Sequence, residues 1–129
     1  MGRMSLVAVG PRPLGGAERA VLERVLSAEG AGGGELRAQV GVAEVVAGWL
    51  PEGSVSVDLR VPVGCPRAAV GDGVLPVRAD VLDESGEFIG EILVWVCDGT
   101  LSALEYAWVT DEMPRELPSP DQITCGSDG

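Results

Sequence analysis

The side chains of this 129-residue chain whose type and spacing suit acid–base chemistry are carboxylates: Asp111-Glu112, Asp83-Glu84, and Glu91 with Glu105. Two carboxylates divide acid and base roles when their environments push their pKa values apart, as in glycoside hydrolysis. Adjacent carboxylates on a turn are more often a solvated corner. The chain has no histidine, and so lacks the commonest general base and metal ligand. Ser-His-Asp and Cys-His catalysis within one chain are excluded with it. Cys65, Cys97 and Cys125 stand far apart without a Cys-x-x-Cys pair, so three free thiols are expected rather than a closed zinc site. Cys97, at a strand end, reads as a small core residue. The glycine-rich segments (GGAER, GAGGGEL and VGDGV) lack the strand-to-helix spacing of a phosphate cradle. No catalytic residue, cofactor or metal is expected, and the chain reads as a non-enzymatic binding protein.

Charge sharpens that reading. Residues 1–60 carry seven acids against six arginines, whereas residues 61–129 carry thirteen acids against three arginines, for a formal net charge of −11. Such a chain repels nucleic-acid phosphate and attracts a basic protein partner. There is no lysine, asparagine or histidine, while alanine, glycine, valine and arginine abound. The missing residues have AT-rich codons, so a high-GC bacterial genome accounts for the preference for arginine over lysine. No apolar run approaches the ~20 residues of a membrane span, and the first residues are too briefly apolar for a signal peptide. A cytoplasmic protein without nucleic-acid or membrane partners is expected.

The segment from Thr110 to Ile123 is the main binding candidate. Asp111, Glu112, Glu116 and Asp121 alternate with Met113, Leu117 and Ile123, and Pro114, Pro118 and Pro120 keep the backbone extended. It either presents acidic surface to a partner or folds back, with Met113, Leu117 and Ile123 covering one face of a sheet. The two can coexist. Glu91 is a further acidic candidate, with Tyr106 and Trp108 as aromatic anchors.

These side chains must be positioned by a hairpin. Asp98-Gly99 lies between VWVC and LSALEYAWV, and a two-residue Asp-Gly loop favours a type I′ turn. Uninterrupted pairing then sets Cys97 opposite Thr100, Trp95 opposite Ser102, Leu93 opposite Leu104, Glu91 opposite Tyr106 and Ile89 opposite Trp108. Glu91 and Glu105 fall on opposite faces in that register, so no shared-proton dyad is expected. Glu105 shares its face with Val94 and Ala103, at a sheet margin or buried against Arg37 or Arg78. Both faces are largely apolar, so one meets helices and the other needs a cover, from the tail, a partner or a second copy.

Upstream, Ala17, Val21, Val25 and Ala28 form one stripe of a helix over 16–29, and Glu35 to Gln39 suits a short second helix. Met4 to Val9 is a short strand or an apolar lead-in, after which Pro11 and Pro13 break regular structure. Residues 40–50, 54–61 and 75–81 read as strands, with Val55, Val57, Leu59 and Val61 on one face of the second. The last residues (TCGSDG) read as disordered unless Cys125 is held. The sum is one domain over 1–129 of α+β class. One or two N-terminal helices (about 14–40) pack on an antiparallel sheet of about five strands (about 40–110), mostly a meander, followed by the tail (110–129).

The run from Asp98 to Tyr106, with Asp111-Glu112-Met113-Pro114 and Leu117-Pro118-Ser119-Pro120-Asp121, resembles small proteins of high-GC bacteria. These end in a DGxLSxLE hairpin and a proline-bounded acidic tail. The resemblance covers the last third and, loosely, the N-terminal helix. It implies kinship of fold, with no established activity. Some of these relatives carry more cysteines before the strand matching SVDL, where this chain has Gly48-Trp49-Leu50. Size, acidity and the absence of histidine suit an immunity or antitoxin role against a basic toxin domain. The alternatives are a small-ligand or enzymatic pocket between helix and sheet, and a homodimer joined through the uncovered face.

Overall fold

The computed structural model describes residues 6–28 and 31–127. Its central hairpin joins β6 (Phe88–Cys97) to β7 (Thr100–Trp108). Asp98 and Gly99 have φ of +55° and +76°, the paired positive values of the expected type I′ turn. Gly99 is required on a second ground, because a Cβ there would sit 2.7 Å from the Ala68 carbonyl oxygen. Cys97 opposes Thr100 and Val96 opposes Leu101, as the turn dictates.

Beyond that point the expected register fails. Trp95 opposes Ala103, Val94 opposes Leu104, Leu93 opposes Glu105, Ile92 opposes Tyr106 and Glu91 opposes Ala107. Ser102 is the extra residue of a β-bulge, and a one-residue slip sends every later side chain of β7 to the opposite face. The cause is legible in the spacing of Leu101, Leu104 and Tyr106, three apart and then two. One unopposed residue lets all three enter the core, where they are 1%, 0% and 4% exposed.

The other strands are β1 (Leu6–Pro13), β2 (Glu44–Trp49), β3 (Val57–Arg60), β4 (Gly73–Val74), β5 (Val77–Leu82) and β8 (Ile123–Ser127). They form one open antiparallel sheet of eight strands in the order β1-β2-β3-β7-β6-β5-β8, with β4 beside β6. The α+β class stands, but the sheet is larger than five strands. β1 runs through Pro11 and Pro13 because it is an edge strand, where a missing N–H breaks no ladder on the solvent side. β8 forms from a segment expected to be disordered unless Cys125 is held; Cys125 packs against the core, and the strand pairs with β5 from Val81–Ile123 to Val77–Ser127.

Both helices lie on one face. α1 (Gly16–Leu26) and α2 (Gly33–Val40) bury Val21, Leu22, Val25, Leu26, Leu36 and Val40 in the same core as Val57, Leu59, Ile92 and Val94. Glu18, in the first turn of α1, reaches back to accept the Gly15 N–H at 2.8 Å, which satisfies one orphan donor of the helix start. α2 is tied to the hairpin by Gln39, 1% exposed. Its Oε1 accepts the Leu101 N–H at 2.9 Å, while Nε2 donates to the carbonyls of Pro66 (2.9 Å) and Gly99 (3.0 Å). A helix side chain thus supplies the ladder partner that β7 lacks at its start.

The tail crosses on the helix side. Val109 N–H donates to the Ile89 carbonyl, and the Met113 methyl lies beside Gly53 in the β2–β3 turn. Pro118 is buried and Leu117 packs against the core. A short 3-10 turn (Pro120–Gln122) then delivers Ile123, 3% exposed, into that core. Arg24 of α1 donates to the Ile123 carbonyl at 3.0 Å. The fold-back expected of Leu117 and Ile123 is present, but it closes the helix-side core and not the second face of the sheet.

Candidate functional site

The face of the sheet turned away from the helices carries Glu91, Leu93 and Trp95 from β6 and Glu105 and Ala107 from β7, all half-buried. Asp58 (β3) and Ala103 (β7) oppose each other on it, as do Ala103 and Trp95. Ala47 and Ala103 are 8% and 0% exposed yet do not belong to the helix-side core, so larger neighbours on this outer face lie over them. Two of those neighbours are indoles held by carboxylates on adjacent strands. Trp95 Nε1–H donates to Glu105 Oε1 at 2.9 Å, and Trp49 Nε1–H donates to Asp58 Oδ1 at 2.9 Å.

Arginines on the same face are already engaged. Arg60 pairs with Glu44 at 2.6 Å and Arg78 with Asp80 at 3.1 Å. Glu91 and Glu105 make no ion pair among the described residues. Beside Glu91 runs a shallow groove of about 290 Å³, walled by Val74, Pro76, Leu93 and Arg78. Glu91 and Glu105 therefore share a face, contrary to the expected register, one place off each other across the β6–β7 ladder. Glu105 has neither Arg37 nor Arg78 for a partner; it holds Trp95.

The other sequence-nominated residues fall in separate places. Tyr106 points into the core and cannot serve as a surface anchor, because the bulge at Ser102 turns it inward. Burial pushes its phenol pKa up. Trp108 is half-buried and packs against the core. Asp111, Glu112 and Glu116 are exposed along the tail and make no ion pair among the described residues. Asp121 is exposed beside the Asp83-Glu84 turn, across a groove of about 280 Å³. Asp83 accepts the N–H groups of Ser85 and Glu87, each at 2.9 Å, and is held below the usual carboxylate range chiefly by the Glu87 bond. That pattern is a turn lock, not a proton-transfer pair.

A cleft of about 640 Å³ opens where the start of α1, the β2–β3 turn and residues 115–117 of the tail meet. Of the two arginines in its lining, Arg12 grips Glu18 through two bonds of 3.0 and 2.9 Å, whereas Arg115 makes no ion pair among the described residues. Burial of Glu18 opposes its ionisation most strongly, but the Arg12 hydrogen bond, the Gly15 N–H and the Arg12 charge outweigh it, and the carboxyl sits below its ordinary range.

Cys97 is exposed, contrary to the core position expected, because it is the last residue of β6, directly before the turn. Cys65 and Cys125 are half-buried thiols, and burial raises Cys125, with the Arg24 charge pulling the other way. Among the described residues no three His, Cys, Asp or Glu side chains cluster to hold a metal, and no helix is long and apolar enough to cross a membrane. The chain matches no known family pattern, no curated protein and no solved structure.

Proposed function

We propose that this chain is a non-enzymatic binding protein of the immunity or antitoxin kind, meeting a basic protein partner through its acidic surface. The observation that carries the reading is where uncompensated charge sits. Glu91 and Glu105 on the outer face, and Asp111, Glu112 and Glu116 on the tail, make no ion pair among the described residues, while four arginines, two of them on the outer face, are paired to other carboxylates. The tail is anchored at both ends, by the Val109 N–H on the Ile89 carbonyl and by Ile123 in the core, so its carboxylates are presented on a preformed surface. Complementary charge of this kind steers association and rejects wrong partners.

The test is retention of a partner by the tagged full-length chain from its native lysate, washed at low and then raised salt. One basic protein recovered in stoichiometric amount and released by salt is expected. Recovery of the chain alone overturns the reading. A second reading, a small-ligand site, is favoured by the size of the 640 Å³ cleft, which falls within the range of ligand pockets. It becomes the leading one if no protein is retained.

A further inference from the structure

Resting on that reading, we propose that the basic partner docks on the outer sheet face, at the strip formed by Trp95, Glu105, Leu93 and Glu91, and that it presents arginine there. The tail is then a neighbour of the interface, not its centre.

Three observations converge on this strip. The tail, the most obvious intramolecular cover, is committed to the other side, since Leu117 packs against the helix-side core and Ile123 is buried in it. The strip is also pre-arranged. The 2.9 Å bond from Trp95 to Glu105 fixes indole and carboxylate relative to each other across the β6–β7 ladder, and buried Ala103 opposes Trp95. Little side-chain freedom is left to lose on binding.

Its chemistry matches one cation better than another. The groove beside Glu91 is lined more by polar than by apolar surface, and Val74, Pro76 and Leu93 supply the apolar contact that the aliphatic stem of a long cationic side chain would use. Glu91 stands at the same groove as an acceptor without an ion-pair partner among the described residues. A guanidinium pairs with a carboxylate through two parallel bonds and also stacks on an indole, whereas an ammonium offers a compact hydrated point charge. Arg78, the cation already at the groove, is turned to Asp80 through bonds of 3.1 and 3.3 Å. A second copy of the chain is a poorer occupant where a two-fold axis passes through the strip, since Glu91 and Glu105 would then lie close to their own equivalents. Anionic phosphate is repelled by the same charges.

The experiment is an NMR titration of the full-length chain with an oligo-arginine peptide, with oligo-lysine of equal length and a neutral peptide as controls. The expected result is amide shifts centred on Glu91, Leu93, Trp95 and Glu105, with oligo-lysine bound several-fold more weakly. Glu91→Gln combined with Glu105→Gln should weaken binding about tenfold, since Gln at 105 still accepts from Trp95. Asp111→Asn with Glu112→Gln and Glu116→Gln should weaken it less than about twofold. Shifts confined to the tail, or equal binding of oligo-lysine, overturn the docking proposal while leaving an acidic binding protein standing. Binding of neither peptide, with no basic protein retained from lysate, overturns both. Shifts on this strip that depend on protein concentration alone assign the face to a second copy and overturn the proposal.

Discussion

Replacing Gln39 by leucine isolates the most connected polar contact in the core. The side chain is 1% exposed and close to leucine in volume, so the change removes three hydrogen bonds with little change of shape. The three do not cost the same. The Gly99 carbonyl keeps the Ala68 N–H at 2.9 Å, and Pro66 is exposed, so both acceptors retain or readily find a donor. The Leu101 N–H has no such recourse: Leu101 is 1% exposed and its amide partner is Gln39 Oε1. A buried donor left unpaired costs about 1–3 kcal/mol, and the two lesser bonds about 0.5–1 kcal/mol each. The extra apolar burial of leucine offsets about 1 kcal/mol. Gln39→Leu should therefore lower the unfolding free energy by about 1–4 kcal/mol, a large share of the 5–15 kcal/mol typical of a domain. Equilibrium urea unfolding followed by tryptophan fluorescence reads this as a fall in midpoint at constant m-value. Hydrogen exchange should show the Leu101 amide losing more protection than the amides of Val94 and Ile92. A loss under about 0.5 kcal/mol at unchanged m-value, or a Leu101 amide as protected as before, would refute the assignment of Gln39 as a surrogate strand partner.

Two further outcomes follow from titrating groups. The Glu18 pKa is lowered in the folded chain, so its contribution is present above the unfolded carboxylate's pKa and lost as pH falls through the folded value. Glu18→Gln should be less stable than the parent at neutral pH by roughly 1–2 kcal/mol, with the gap closing in acid, and a pH-independent gap would count against the Arg12 pairing. Tyr106 is the only tyrosine and its pKa is raised, so that stability is fully present below the unfolded tyrosine value and is lost as pH rises through the folded one. Tyrosinate absorbance should appear only above the ordinary value of ~10, whereas ionisation at that value would show the ring to be at the surface.

The parts of the fold legible in the sequence are those set by neighbouring residues. The Asp98-Gly99 turn and the inward run of Leu75, Val77, Ala79 and Val81 depend on local conformation and period, and the structure has them; the α1 stripe holds in part, with Val21 and Val25 buried but Ala17 exposed and Glu18 buried. What was missed depends on distant partners. The first strand passes two prolines because it lies at an edge, a property of sheet order and not of the segment. The last strand exists because β5 offers it a free edge, and Ile123 gains a core site next to α1. Gln39 reads locally as an ordinary polar residue in a helix, and its role appears only when the hairpin is brought to it. The charge excess is legible in the composition, whereas the faces taken by Tyr106 and Glu105 are each reversed by one unopposed serine.

That serine couples the core to the surface. Without an extra residue between Leu101 and Leu104, the core face of β7 would receive Leu101, Ala103 and Glu105, leaving a buried carboxylate and an undersized alanine where Leu104 and Tyr106 now pack. The bulge is therefore favoured by burial alone, before any function is considered. Its consequence on the other side is chemical: Glu105 emerges opposite Leu93 and next to Trp95, and the outer face gains a carboxylate held by an indole. The same step places Glu91 and Glu105 on one surface, the strip on which the proposed arginine-bearing partner would dock. The acidic strip is thus a by-product of packing three large apolar side chains at uneven spacing. Changes aimed at its charge, such as Glu91→Gln, leave the helix-side core intact, whereas changes at Ser102 disturb core and strip together.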